Sequence, residues 1–272
     1  MDIQKRPIAN VLVSSGHGTF IVNRHDYLTS SANETIGVGY QILQNSYYDP
    51  EEVLHLKEVI MIRREMFGDG VVAIDGGANI GVHTIEWAKT MHGWGNVLAF
   101  EAQERIFYSL AGNIAINNCF NATAYHAALG ASVGNINIPI LDYFKPSSFG
   151  SFELRKNEFN EYIGQKINYT EEQCRKVSLV SIDSLNLTRV DFIKLDIEGM
   201  ELEALDGAKK TIATAKPMML IEHFKSGKEN LDTYLANFGY YTFEVGGSIL
   251  AIHKDDPCNL KIKQRLSEIG YK

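Results

Sequence analysis

The chain has 272 residues, of which 45% are hydrophobic and 22% charged, a composition typical of a globular protein that buries a sizeable core. A formal net charge of −7 disfavours nucleic acid and anionic membranes as partners. Neither a signal-peptide pattern nor an apolar run long enough to span a bilayer occurs, so we expect a cytoplasmic protein with no membrane span.

Residues 1–70 differ from the rest and are predicted to form an accessory segment. Residues 10–26, "NVLVSSGHGTFIVNRHD", are typical of a β-hairpin. Asp49 is placed to cap a helix that begins at Pro50 and stops at Gly68. We expect this hairpin and helix to supply the contact if the chain forms a homodimer.

Residues 71–255 alternate strand-like runs with helical patterns, which predicts a Rossmann-like α/β domain with a mostly parallel, doubly wound sheet and helices on both faces. The seven predicted strands cover residues 71–75, 96–100, 121–126, 190–195, 217–222, 240–245 and 248–253. The predicted helices cover about 81–92, 104–117, 201–214 and 227–238. The last two strands form a closing hairpin that places one antiparallel strand inside the sheet, and an extra hairpin is expected near 133–140.

Two segments fall outside this alternation. Residues 141–176 are long, polar and rich in aromatic residues, and we expect them to form a substrate lid at the carboxyl edge of the sheet. Residues 256–272 are predicted to be a tail with a solvated terminal helix. Side chains of the lid that are suited to stack on a sugar or hydrogen-bond to it are Tyr143, Phe149, Phe152, Ser147, Ser148 and Ser151.

Residues 71–89, "VVAIDGGANIGVHTIEWAK", join the first strand of the predicted sheet to a helix through a glycine-rich turn. In an open parallel sheet, ligands bind beyond the carboxyl ends of the strands, and such a turn must let them approach the backbone. Gly76, Gly77 and Gly81 supply that access, and Asn79 tolerates a left-handed conformation. The turn therefore predicts a nucleotide site.

Two acids narrow the choice of nucleotide. Asp75 ends the first strand and Glu101 ends the second, near the spacing of about 20 residues at which an acid meets ribose hydroxyls. This pair fits either a nicotinamide cofactor or S-adenosylmethionine. Ala78 replaces the middle glycine of a dinucleotide fingerprint, which is unfavourable where a pyrophosphate touches the backbone. Asp75 is also poorly placed beside a diphosphate, whereas it can organise the turn around a methionine moiety.

Five motifs resemble the FkbM-type class I methyltransferases over roughly residues 71–255. They are "DGGANIG" (75–81), "FEAQ" (100–103), "AALG" (127–130), "VDFIKLDIEGMELEALDGA" (190–208) and "LIEH" (220–223). The resemblance implies a class I fold with a seven-stranded sheet and S-adenosylmethionine as the methyl donor. It also implies O-methyl transfer to a hydroxyl of a sugar, glycolipid or polyketide. Many members have valine where this chain has Gly76.

The resemblance also assigns the residues that bind the donor. The expected donor-binding residues are Asp75, Gly77, Asn79, Ile80, Gly81, Glu101, Ala102, Ala127 and Asp196.

A second set of polar side chains lies at the ends of two later strands. Lys194 and Asp196 are two positions apart and so point to the same face, with Asp196 beside the glycine turn. Glu198 follows, and Glu222 and His223 end the next strand. We expect Lys194, Asp196, Glu198 and His223 to be the catalytic group, with His223 or Asp196 as the base that takes the hydroxyl proton. The alternative is structural, with Lys194 as the partner of a buried acid.

A metal ion is a further possibility at this second set of side chains. Glu198 and Glu222 are expected to hold either the hydroxyls of the acceptor or, together with Asp196, a divalent cation. Oxygen ligands of this kind suit Mg²⁺ or Ca²⁺ rather than zinc. The three cysteines are widely spaced, which argues against a zinc site or a disulfide framework.

Three other functions stay open. Tyr162 and Lys166 form the Tyr-x-x-x-Lys pair that an NAD-dependent oxidoreductase would use, although they lie in the irregular insertion. A nucleic-acid amino-methyltransferase would need adjacent prolines, and no two of the six prolines are adjacent. The third is a non-catalytic nucleotide-binding module, which the extra acids disfavour. The sequence therefore predicts an O-methyltransferase acting on a carbohydrate, a glycan or a related polyhydroxylated small molecule.

Overall fold

A computed structural model describes residues 7–268 of the chain. Its strands are β1 (Asn10–Ser15), β2 (Gly18–Asn23), β3 (Leu28–Thr29), β4 (Thr35–Ile36), β5 (Val71–Gly76), β6 (Gly95–Glu101), β7 (Ala122–Leu129), β8 (Gly134–Pro139), β9 (Cys174–Val180), β10 (Phe192–Leu195), β11 (Met218–Glu222), β12 (Tyr240–Val245) and β13 (Ser248–His253). Its α-helices are α1 (Val38–Asn45), α2 (Pro50–Phe67), α3 (Val82–Thr90), α4 (Glu104–Ile116), α5 (Glu201–Asp206), α6 (Lys209–Ala215), α7 (Lys228–Ala236) and α8 (Asn259–Glu268).

Within residues 7–268, nine strands form one large sheet in the order β12-β13-β11-β10-β5-β6-β7-β9-β8. The strands from β11 to β9 pair in parallel, as the alternation predicts. β13 lies antiparallel between β11 and β12, which confirms the predicted closing hairpin. The predicted seven strands are all present, but the predicted count is wrong for the whole sheet because β9 and β8 extend it beyond β7.

The extra edge of the sheet also corrects the predicted hairpin near 133–140. That region is the single strand β8, and its antiparallel partner β9 follows only after the insertion. β9 begins inside the segment assigned to the insertion, 141–176. Its buried Val177 and Leu179 alternate with exposed Lys176 and Ser178, the pattern of a half-buried strand. The insertion therefore connects two paired strands.

Helices cover both faces of the sheet because alternate strand residues point to opposite sides. Ala73 of β5 packs in the core layer that includes α2, α3 and α4. Its neighbour Ile74 packs in the layer formed with α5, α6 and α7. The two layers confirm the predicted doubly wound architecture.

The helix predicted over 201–214 is two helices. α5 ends before Gly207, which packs so closely that a Cβ there would lie 2.1 Å from the Gly130 carbonyl oxygen. The carboxylate of Asp183 then accepts hydrogen bonds from the backbone N–H groups of Lys210 and Thr211, both at 2.8 Å. A carboxylate in this position starts a new helix.

The N-terminal extension contains the predicted hairpin, β1 and β2, and the predicted helix, α2, whose first turn is capped by Asp49. The hairpin docks on α4 through buried Asn113, whose Oδ1 accepts from the Ile21 N–H at 2.6 Å. Nδ2 of the same residue donates to the Ile80 carbonyl at 2.8 Å. One side chain therefore joins the hairpin to the glycine turn.

No helix within residues 7–268 is long and apolar enough to cross a bilayer. α8 occupies part of the predicted tail, while residues 1–6 of the accessory segment and 269–272 of the tail lie outside the described residues. The three-part division of the chain, the cytoplasmic location and the homodimer stay predictions.

Candidate functional site

A cavity of about 590 Å³ opens at the carboxyl ends of β5, β6, β7 and β10. This is the edge at which open α/β sheets bind ligands. Its walls come from the glycine turn, the β10–α5 loop, the insertion and the N-terminal extension. Most of the predicted donor-binding residues line it, namely Gly77, Asn79, Ile80, Glu101, Ala102, Ala127 and Asp196.

The glycine turn has the left-handed backbone that its residues predict. The φ angle is +76° at Gly77, +51° at Asn79 and +92° at Gly81. A Cβ at Gly77 would lie 1.8 Å from the carbonyl oxygen of Asp196, so the turn packs directly against the end of β10. A Cβ at Gly81 would lie 2.6 Å from the side chain of Leu110. Gly81 therefore serves packing on α4 and is not part of the cavity lining.

Asp75 differs from its predicted role. Its side chain is buried beneath the turn, and its Oδ2 accepts a hydrogen bond from the Thr84 hydroxyl at 2.6 Å. It does not line the cavity. Asp75 therefore holds the first turn of α3 in place, instead of contacting a ligand.

Glu101 ends β6 and faces the cavity. Its Oε2 accepts from the Asn79 N–H at 3.0 Å, and its Oε1 accepts from the Gln103 N–H at 2.7 Å. Burial raises the pKa of Glu101 to about 7, although these backbone donors oppose the shift. The carboxyl group is thus fixed beside the glycine turn, where it can accept hydrogen bonds from the hydroxyls of a ligand.

Lys194 and Asp196 form an ion pair in the cavity wall. Lys194 Nζ donates to Asp196 Oδ2 at 2.8 Å, as their shared face predicts. Burial alone would lower the pKa of Lys194, but the carboxylates of Asp196, Asp75 and Glu52 outweigh it and raise that pKa. Lys194 therefore stays cationic and holds Asp196 at the end of β10.

Glu198 and Glu222 place two carboxyl groups on the same wall. The Oε2 atom of each is buried and has no hydrogen-bond partner among the described residues. Burial, reinforced by Asp196 and other nearby carboxylates, raises the pKa of Glu198 to about 9 and that of Glu222 to about 8. Both carboxyl groups are therefore protonated more readily than an ordinary glutamate.

His223 lies outside the cavity, against its predicted role as the base. It follows Glu222, which lines the cavity, and successive residues of a strand point to opposite faces. Its ring packs 5.4 Å from the Phe224 ring. The chain order at the end of β11 thus puts the carboxyl group, not the imidazole, next to a ligand.

The insertion supplies a second wall, though only part of the predicted set faces the cavity. Ser148, Ser151 and Phe152 line it, and the two serine hydroxyls are 2.9 Å apart. Phe149 is fully buried, and its ring lies 4.8 Å from that of Tyr143. Ser147, also buried, bonds to the preceding carbonyl. These last three side chains shape the insertion from within.

Gln103 connects the insertion to the end of β6. Its side-chain amide donates to the Phe149 carbonyl at 2.9 Å and accepts from the Tyr143 hydroxyl at 3.2 Å. The sequence predicts no role for this residue, although it stands in the "FEAQ" motif. The insertion is therefore held directly over the cavity.

The N-terminal extension supplies cavity residues that sequence reasoning missed. Tyr48, just before α2, and Glu52, in the first turn of α2, line the cavity, as does His83 of α3. The position of His83, two residues after Gly81, was the available signal. Glu52 carried none, because only the packing of α2 on α3 brings it to the site.

The Tyr-x-x-x-Lys pair lies away from this site. Tyr162 is two-thirds exposed, and its hydroxyl donates to the Gly164 carbonyl at 2.8 Å. Neither Tyr162 nor Lys166 lines the cavity. The geometry thus gives no support to the oxidoreductase alternative.

Comparison with known proteins decides the family. Residues 75–241, more than half of the chain, match the Methyltransferase FkbM domain family. The chain belongs to this family. The match begins at Asp75 and contains the glycine turn, Glu101, the Lys194–Asp196 pair and Glu222, but not α2 or the segment before it.

Two curated relatives of this FkbM domain are named as methyltransferases. "Methyltransferase 1" of Beauveria bassiana (strain ARSEF 2860) is 26% identical over 149 residues, which are 52% of this chain and 59% of that protein. "Methyltransferase sdnD" of Sordaria araneosa is 28% identical over 157 residues, 49% of this chain and 59% of that protein. The chain thus spans about three fifths of the length of the curated relatives it matches.

Among solved structures, an FkbM methyltransferase from Methylobacillus flagellatus KT is similar to this chain. The sequences are 18% identical, the TM-score is 0.46, and the alignment covers 71% of this chain and 48% of that one.

The FkbM family and its fold imply S-adenosylmethionine as the methyl donor, and the residues present fit it. Glu101 offers a buried carboxyl group to ribose hydroxyls, and the turn at Gly77 brings backbone to the cavity edge. The residues do not fit a metal ion in the same way. Within residues 7–268, no three His, Cys, Asp or Glu side chains are grouped closely enough to hold one. No step of the reaction is therefore assigned to Mg²⁺ at the predicted site of Asp196, Glu198 and Glu222.

Proposed function

We propose that the chain is an S-adenosylmethionine-dependent O-methyltransferase whose acceptor is a hydroxyl group of a carbohydrate, a glycan or a related polyhydroxylated small molecule. One observation carries the proposal: donor-binding residues and a wall of small polar side chains line the same cavity. Methyl transfer is helped chiefly by holding the two reactants next to each other, which a shared cavity does.

The donor half of the cavity is formed by the glycine turn and the strand ends that follow it, all within the family match. The backbone at Gly77 and Asn79 lets the donor approach closely, while Glu101 accepts hydrogen bonds from its ribose. Asp196, held by Lys194, meets its amino acid portion. When bound, the donor supplies an electrophilic methyl group on a sulfonium sulfur.

The acceptor half suits a molecule with several hydroxyl groups. Ser148 and Ser151 can both donate and accept, and the carboxyl groups of Glu198 and Glu222 donate when protonated. Phe152 borders this half of the cavity but is almost fully buried, so the serine and glutamate side chains supply its polar contacts. The insertion acts as the lid that covers the acceptor and keeps water away from the reacting atoms.

Calorimetric titration tests the donor half. S-adenosylmethionine and S-adenosylhomocysteine are expected to bind with a dissociation constant in the micromolar range, with or without Mg²⁺, and NAD is expected not to bind. Glu101→Ala should weaken binding roughly 10- to 100-fold, since it removes the hydrogen bonds between this carboxyl group and the ribose hydroxyls. Glu172→Ala, at an exposed carboxyl group, is the control and should bind as the wild type does. Binding of NAD instead, or of neither ligand class, would overturn the donor assignment.

Transfer of a radiolabelled methyl group tests the acceptor half. The acceptors are a panel of methyl glycosides that differ in the orientation of their hydroxyl groups. Label in the sugar fraction, dependent on the wild-type protein, supports the proposal. A protein that binds the donor but labels no glycoside shows that the acceptor class is wrong.

A further inference from the structure

His83 and Glu52 form a carboxylate–imidazole pair at the cavity. His83 lies in the first turn of α3, directly after the glycine turn, and Glu52 lies in the first turn of α2. Both residues line the cavity. The His83 side chain is only 8% exposed and that of Glu52 is 24% exposed, so the pair is largely shielded from bulk water.

The geometry of the pair orients the imidazole ring. His83 Nε2 lies 3.1 Å from Glu52 Oε1, at hydrogen-bonding distance although the two are not fully aligned. Nε2 is buried beside Glu52, which leaves Nδ1 as the ring nitrogen that this carboxylate does not engage. A carboxylate beside Nε2 favours the tautomer with its hydrogen on Nε2, which leaves a lone pair on Nδ1.

The charge of Glu52 suits this role. Burial pushes the pKa of Glu52 upward, but the neighbouring His83 ring, with a further contribution from Lys194, outweighs burial and lowers it. Glu52 is therefore ionised near neutral pH and can stabilise the imidazolium that forms when Nδ1 takes a proton.

The other candidates for the base are less suitable. Lys194 stays cationic, and the raised pKa values of Glu198 and Glu222 favour their protonated forms. Asp196 is committed to its hydrogen bond with Lys194. His223 does not line the cavity.

We propose that His83 is the general base of the reaction and that Glu52, from outside the family match, is the residue that positions it. This inference rests on the proposed function. The acceptor oxygen bonds to the methyl carbon as the carbon–sulfur bond breaks, and the electron pair of that bond goes to sulfur. The hydroxyl proton passes to His83 Nδ1, and the positive charge moves from the sulfonium to the imidazolium beside Glu52.

The tautomer of His83 gives a test that needs no acceptor. Long-range ¹H–¹⁵N spectra of protein labelled at histidine, with the signals assigned through His83→Asn, should show the neutral ring of His83 with its hydrogen on Nε2. Glu52→Ala should remove this preference, whereas Glu51→Ala, at the exposed neighbouring acid, should preserve it. A wild-type ring with its hydrogen on Nδ1 would overturn the assignment.

Kinetics with a labelled glycoside gives the second test. His83→Asn should lower kcat about 10²- to 10⁴-fold, the usual contribution of a general base, with little change in KM. Added imidazole should restore part of the rate to His83→Ala. Glu52→Gln should lower kcat by about tenfold, and His92→Asn, in the exposed turn that follows the same helix, should have no effect.

Binding of S-adenosylhomocysteine separates a lost base from a damaged fold. The His83 variants should bind it within about twofold of the wild type, because the proposal gives His83 no part in donor binding. A near-normal kcat in His83→Asn would refute only the assignment of His83 as the general base. A wild-type protein that labels no glycoside would refute only the acceptor class.

Discussion

At the residue scale, Glu198, in the part of the cavity proposed to bind the acceptor, has two features that oppose folding. Glu198 has a left-handed backbone, with φ of +53°, which is unfavourable for a residue with a side chain. Its buried carboxyl group faces Glu222 and Asp196, and its pKa is raised to about 9. Strained or repelling groups of this kind persist where they serve binding or catalysis.

Glu198→Gln is therefore expected to stabilise the fold. The folded protein holds the Glu198 proton between the ordinary pKa of a glutamate and about 9, while the unfolded chain releases it. The free energy of unfolding of the wild type thus falls as pH rises through this window, and glutamine escapes the loss. Urea unfolding should show an advantage for the variant that grows from pH 5 to roughly 2 kcal/mol at pH 8. The exposed-site control Glu229→Gln should differ from the wild type by the same amount at pH 5 and pH 8. The same constant difference for Glu198→Gln would contradict the prediction.

The sequence predicts a residue's neighbourhood better than the direction of its side chain. Gly77 and Glu101 line the cavity as expected because the turn and the strand end fix their backbone. Asp75 and His223 are each in the expected place along the chain, yet their side chains point elsewhere. A shift of one residue at a strand end reverses the face, and motif spacing does not resolve that shift.

At the element scale, Asp26 joins the two segments that cover the cavity, the N-terminal extension and the insertion. These segments are called the two covers below. Its carboxylate accepts from the Gly39 N–H at 2.8 Å and from the Phe149 N–H at 3.1 Å. The Ser147 N–H also donates to the carbonyl of neighbouring His25, at 3.0 Å. Burial raises the pKa of Asp26 to about 6, although the hydrogen bonds from the Gly39 and Phe149 N–H groups oppose the shift.

Asp26→Ala is expected to loosen both covers. It leaves two backbone N–H groups without their acceptor, which should lower the free energy of unfolding by about 2–4 kcal/mol. Hydrogen exchange should become faster at Gly39 and Phe149 together, while exchange in β5 and β6 changes only with global stability. Asp26→Asn keeps one acceptor oxygen, so its free energy of unfolding and its exchange rates should lie between those of the wild type and Asp26→Ala. Faster exchange on one cover alone would show that Asp26 does not join them.

The elements that the sequence predicts are those with local signals. Strand and helix alternation, the closing hairpin and the capped helix α2 follow from periodicity and turn residues within short windows. β9 was missed because its partner β8 lies on the other side of the insertion. The break between α5 and α6 depends on Asp183, a residue far from the helix it caps.

At the scale of the whole molecule, Arg63 ties the N-terminal extension to the far end of the domain. It lies on α2 and is 3% exposed, and its guanidinium donates to Asp256 in the connection to α8. It also lies 3.8 Å from Asp191, which precedes β10 and is bonded by Arg189. Three parts of the chain that are distant in sequence thus share one buried ionic cluster.

Arg63→Met is expected to destabilise the entire fold by about 3–5 kcal/mol, because it leaves the buried Asp256 carboxylate without its cation. Arg64→Met is the matched control: its pair with Asp69 is exposed and should cost about 1 kcal/mol or less. Urea unfolding measures both, and the native-state affinity for S-adenosylhomocysteine should be unchanged because Arg63 is remote from the cavity. A loss for Arg63→Met no larger than that of the control would contradict the role of the cluster.

The contact at Asp26 limits how the two covers can be exchanged between related proteins. The cover from the N-terminal extension and the cover from the insertion hold each other, although most of the donor half lies between them in the chain. A chimera that replaces one cover alone is expected to disturb the shared contact, whereas one that exchanges both covers at once is expected to keep it.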